Sequence, residues 1–124
     1  MKEAYCSFEV SKLLKEKGFD ELCYKFYTHD TKEVYREDIP CCNSRSDDYA
    51  SPTHQMAIAW LREKHFIIVV TPVLFNVNYE DFKWGYDIWA DDNLEVSSED
   101  CSNPLKSYEE ATESALKYVL ENLI

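Results

Sequence analysis

Residues 82–90, FKWGYDIWA, alternate the large apolar side chains of Phe82, Trp84, Tyr86 and Ile88 with Lys83, Gly85 and Asp87. A period of two is that of a strand with one face against a core. Just before it, FIIVVTPVLFNV at 66–77 is β-branched and aromatic, and it is too apolar for a strand with a wet face. This run is expected centrally in a sheet, with Pro72 marking a bulge or an edge. If Asn78 to Asp81 close a hairpin, Val77 faces Phe82, Phe75 faces Trp84 and Val73 faces Tyr86, and all six side chains enter the core. Alternation then sends Ile68, Val70, Leu74 and Trp89 to the opposite face, with Trp89 near Val70 unless a bulge at Pro72 shifts the register by one residue. An apolar patch there needs a cover, either a helix or loop of the same chain, or a partner.

The other elements follow from caps and periods. Ser7 caps a helix running through Lys17, with Val10, Leu13 and Leu14 on one face and Gly18 closing it. LCYKFY at 22–27 and EVYR at 33–36 read as short strands joined by the polar turn Thr28 to Lys32. Residues 40–50 lack periodicity and read as the longest loop. Ser51 with Pro52 behind it starts a second helix whose inward stripe is Ala57, Trp60 and Leu61. Asp91, Asp92 and Asn93 make a tight turn into a short edge strand at Leu94 to Ser97. Ser107 and Glu110 form a capping box for a last helix carrying Ala111, Ala115, Tyr118 and Val119 inward. The order α-β-β-α-β-β-(β)-α predicts an α+β fold: an antiparallel sheet of four to five strands, with three helices packed mainly on one face. With 124 residues and 45% hydrophobic composition, residues 1–124 are expected to form a single globular domain.

A net charge of −11 sets up a field that repels nucleic acid and anionic lipid, so direct nucleic-acid binding is not expected. The longest apolar stretch, Phe66 to Val70, is too short to cross a bilayer, and the N-terminal segment lacks the apolar run of a signal peptide. Five cysteines, an odd number, fit free thiols in the cytoplasm.

No motif for chemistry emerges. Cys41 and Cys42 have His29, His54 and His65 as conceivable co-ligands, yet the chain contains neither C-x-x-C nor H-x-x-x-H, so no metal is expected. A cysteine nucleophile needs a histidine base beside it, and none of the three histidines sits in such a motif. Asp91, Asn93 and Glu95 fit the first, third and fifth places of a calcium loop, but Val96 stands where glycine is needed and Ser102 where the closing glutamate belongs. Only Gly18 and Gly85 occur, which leaves no glycine-rich phosphate loop. Catalytic residues and cofactors are therefore expected to be none. What remains is an acidic excess between Tyr79 and Cys101, of which Asp87, Asp91, Asp92 and Glu95 form a candidate strip.

The segments MKEAYCSFEVSKLLKEKGFDE, SPTHQMAIAWLREKH and SYEEATESALKYVLENLI resemble blocks of an uncharacterised family of short acidic proteins from gut Bacteroides-group bacteria and their prophages and mobile elements. The resemblance implies a bacterial, cytoplasmic, phage-related protein and carries no chemistry. The expectation is thus a non-enzymatic interaction module. Its partner is an unidentified protein or a second copy, meeting Ile68, Val70, Leu74 and Trp89. The alternatives are an acidic decoy that occupies a nucleic-acid-binding protein, and a small enzyme without a motif, which a hydrogen-bonded Cys–His contact would favour.

Overall fold

The computed structural model describes residues 4–73, 83–97 and 105–124. Its helices are α1 (Phe8–Glu16), α2 (His54–Glu63) and α3 (Tyr108–Tyr118), and its strands are β1 (Cys23–Tyr27), β2 (Val34–Cys41), β3 (Tyr49–Ala50), β4 (Phe66–Val73), β5 (Lys83–Ala90) and β6 (Asn93–Val96). The chain is α+β, with two three-stranded antiparallel sheets ordered β2-β1-β3 and β4-β5-β6 in place of the expected single sheet of four to five. The second strand is longer than expected, and the segment taken as a loop holds its end, a 3₁₀ turn at Asn43–Arg45 and β3. β3 forms because Asn43 is buried there as a surrogate backbone. Its Nδ2 donates to Phe19 O at 2.7 Å, and its Oδ1 accepts from Ala50 N at 2.8 Å. With that edge of β1 taken by β3, the first hairpin does not extend the second sheet.

Each helix starts on a hydroxyl. Ser7 Oγ accepts from Val10 N, Thr53 Oγ from Met56 N and Ser107 Oγ from Glu110 N. The cap of α2 is thus Thr53, two residues beyond the expected Ser51, whose hydroxyl donates to Cys6 O at 2.8 Å instead. The box at α3 closes one residue early, Glu110 Oε2 accepting from Lys106 N. Val10 and Leu14 of α1, Phe26 of β1, Ala57 and Leu61 of α2, Ile68 and Ile88 of the second sheet, and Ala115 and Leu116 of α3 belong to one continuous buried cluster.

The register of β4 and β5 differs from the expected hairpin. Trp84 pairs with Pro72, not Phe75, and Trp89 with Ile67, not Val70, a displacement of three residues. An odd displacement exchanges the two faces of one strand relative to the other. Ile68 and Val70 consequently join Ile88 and Tyr86 on the core side, correcting their expected place on the outer face, while Ile67 and Val69 point out beside Trp89. Leu74, with the expected turn at 78–81, lies outside the described residues. β4 is also an edge strand of its sheet, not a central one, which is where Pro72 costs no ladder bond.

Candidate functional site

Among the described residues, two places in the fold gather chemistry. The first is the outer face of the second sheet. Ile67 lies directly opposite Trp89, Trp89 opposite Leu94, and Val69 opposite Asp87. Residues directly opposite in an antiparallel sheet share a face. Ile67 is 46%, Val69 40%, Trp89 38% and Leu94 47% exposed, so four large apolar side chains across three strands meet solvent together. Of the sequence-derived surface residues, Trp89 is there and Ile68 and Val70 are not. Ile67, Val69 and Leu94 were missed because the register, not the composition, selects the face.

The acidic residues border that patch. Asp87 lies on its face of β5; Asp91 and Asp92, both exposed, form the two-residue turn into β6; Glu95 is exposed on β6 at a bulge between the Trp89 and Ile88 pairings. The turn places Asp91 and Asp92 at φ 47° and 71°. A two-residue hairpin turn of this hand matches the twist of its strands, and aspartate is among the few non-glycine residues that tolerate it.

The second place is assembled by three remote segments. An antiparallel bridge between Tyr5 and Thr53, with Cys6 N donating to Pro52 O and His54 N to Ala4 O, lays the chain before α1 along the start of α2. α3 then brings Glu113 across both. Its carboxylate accepts from His54 Nε2 at 2.8 Å, Ser7 N at 2.9 Å and Ser7 Oγ at 2.6 Å. Cys6 Sγ, an imidazole nitrogen of His54 and a carboxylate oxygen of Glu113 lie within 4.8 Å of one another. His54 is 6% exposed, and its Nδ1 has no hydrogen-bond partner. Burial pushes the Glu113 carboxyl up, but the three donors outweigh it and hold the group below its ordinary value. Burial, then the charge of Glu113, then Cys23 push the Cys6 thiol far above the ordinary range.

A cleft of about 540 Å³ opens onto this cluster, lined by Ser7, His54 and Glu113 and by the acids Glu9, Glu109 and Glu110. Cys6 lies behind its wall, fully buried. No hydrogen bond joins the Cys6 thiol to the His54 ring, whose Nε2 meets Glu113 instead. The loop cysteines Cys41 and Cys42 are spent locally, on Cys42 O and on the Ser44 hydroxyl. Spacing could not reveal the cluster, because its members are separated by 48 and 59 residues of chain, from Cys6 to His54 and from His54 to Glu113.

No protein-family model, curated protein or solved structure matches the chain. Among the described residues, no helix is long and apolar enough to cross a membrane.

Proposed function

We propose that the chain is a non-enzymatic interaction module that docks a partner protein on the outer face of β4, β5 and β6. One observation carries this reading: β4 keeps Ile67 and Val69 on its open face, in register with Trp89 and Leu94. A strand with one wet face normally carries polar residues there, and tryptophan is enriched at interface hot spots. The rim selects the partner. Asp87, Asp91, Asp92 and Glu95 beside the patch, on a chain of net charge −11, favour an apolar surface ringed by lysine and arginine. Two copies meeting through this face would set like charges against each other, which favours a different protein over a homodimer. A basic partner also keeps the second reading in play, an acidic decoy for a nucleic-acid-binding protein, with the exposed turn acids Asp91 and Asp92 favouring it.

The test is co-purification from cells that naturally contain the chain, comparing the native sequence with a Trp89→Ala/Leu94→Ser double variant. The native chain is expected to retain a partner that added salt releases, since such attraction is screened over about 10 Å at 0.1 M salt. The variant should remain cooperatively folded, with a lowered melting temperature, and lose the partner. Capture of the same proteins by both chains would end the proposal. If the retained partner leaves on adding DNA, the decoy reading gains; if it does not, the partner surface is not a nucleic-acid site.

A further inference from the structure

We propose that Cys6, His54 and Glu113 form a binding site for one divalent cation, zinc by the chemistry of the donors. A buried thiol, an imidazole and a carboxylate offer one soft, one borderline and one hard ligand atom, a set that suits zinc and is too sulfur-rich and too small for calcium or magnesium. All three atoms already lie within 4.8 Å of one another. Zinc bonds of about 2.0–2.3 Å in tetrahedral geometry place ligand atoms roughly 3.3–3.8 Å apart, so closing the site takes shifts on the order of 1 Å.

The ring of His54 is already held for such a role: it is buried to within 6% of completely, and its Nε2 meets Glu113 at 2.8 Å. One ion reaches only one of the two diverging ring nitrogens, and beside Glu113 that is Nε2, so the ion takes the place of the Nε2–Glu113 hydrogen bond while Nδ1, which has no protein partner, carries the ring proton. The surroundings support the same ligand. Ser7 grips Glu113 through both its amide and its hydroxyl, fixing the carboxylate as outer partners of metal ligands do. The cleft that His54 and Glu113 line gives the ion a way in, and Glu109 and Glu110 on its walls attract cations there, whereas Glu9 is paired with Lys117, which lines the same cleft. On binding, the Cys6 thiol loses its proton to solvent through the cleft, and the charge of the ion stabilises the buried thiolate. Three protein ligands leave the fourth position to water from the cleft.

The experiment titrates the full reduced chain, stripped of metal, with cobalt(II) and then zinc(II). One equivalent of cobalt should produce a thiolate-to-metal charge-transfer band, which zinc abolishes while raising the melting temperature. Cys6→Ser should remove the band, whereas Cys41→Ser/Cys42→Ser should keep it. Because Cys6 is a core position, Glu113→Gln supplies a second arm. It retains side-chain hydrogen-bonding capacity but removes the anionic ligand, and is expected to weaken cobalt binding by about tenfold or more. No charge-transfer band in the native chain, a band that survives Cys6→Ser, or unchanged affinity in Glu113→Gln would each overturn the site.

Discussion

Glu113 has much to lose, because its carboxylate serves as acceptor for α1 and α2 at once. Its folded value lies below the ordinary one, so its stabilisation is complete above the unfolded carboxyl's pKa and is lost as pH falls through the lower folded value. Melting temperature measured across the acid range should therefore fall less steeply in Glu113→Gln than in the native chain. Glu113→Ala orphans the Ser7 amide and His54 Nε2, a loss of about 1–3 kcal/mol by denaturant titration at neutral pH. Asn43 is the comparable residue under the first sheet. Asn43→Ala strips partners from Phe19 O and Ala50 N, and should likewise cost about 1–3 kcal/mol and loosen β3. Neither residue stood out in the sequence, because what makes them matter is backbone and side chains from elsewhere in the chain.

Helix starts and turns obey local chemistry, and there the sequence was nearly sufficient. Ser7 and Ser107 cap as their spacing predicts, and Asp91 with Asp92 turns the hairpin. The start of α2 was misplaced because two hydroxyls, Ser51 and Thr53, compete for it, and the carbonyl of Cys6 captures the first. Thr53→Ala should accordingly cost about 1 kcal/mol and speed hydrogen exchange at the Met56 amide, an effect Ser51→Ala should not share. At the hairpin, Asp92→Gly removes the strain of a left-handed non-glycine residue and should raise stability by about 0.5–1 kcal/mol in a thermal melt. The edge strand β2 shows another device of the same scale: Arg36, Glu37, Asp38 and Pro40 interrupt its open edge against pairing with other chains.

For the molecule as a whole, the decisive quantity is which face of the second sheet is wet. Trp89 keeps more than a third of its surface exposed and its neighbours Ile67 and Leu94 more, so Trp89→Ala should cost on the order of 1–3 kcal/mol while folding stays cooperative. A cooperative loss of folding in that variant would place the indole in the core and remove the docking surface.

By itself the sequence determined the α+β class, the helices, the hairpin turn of acids and the core face of β5, since each depends on interactions among residues a few positions apart. Only the tertiary structure decided the rest. The strand 66–73 is apolar on both faces, so its pattern is indifferent to register, and pairing Trp89 with Ile67 instead of Val70 chose which residues meet solvent. The division into two sheets rests on Asn43 reaching Phe19 and Ala50, and the Cys6–His54–Glu113 cluster on three segments meeting around one carboxylate. Such contacts leave no periodic trace along a chain, because they are set by packing between elements rather than by spacing within them.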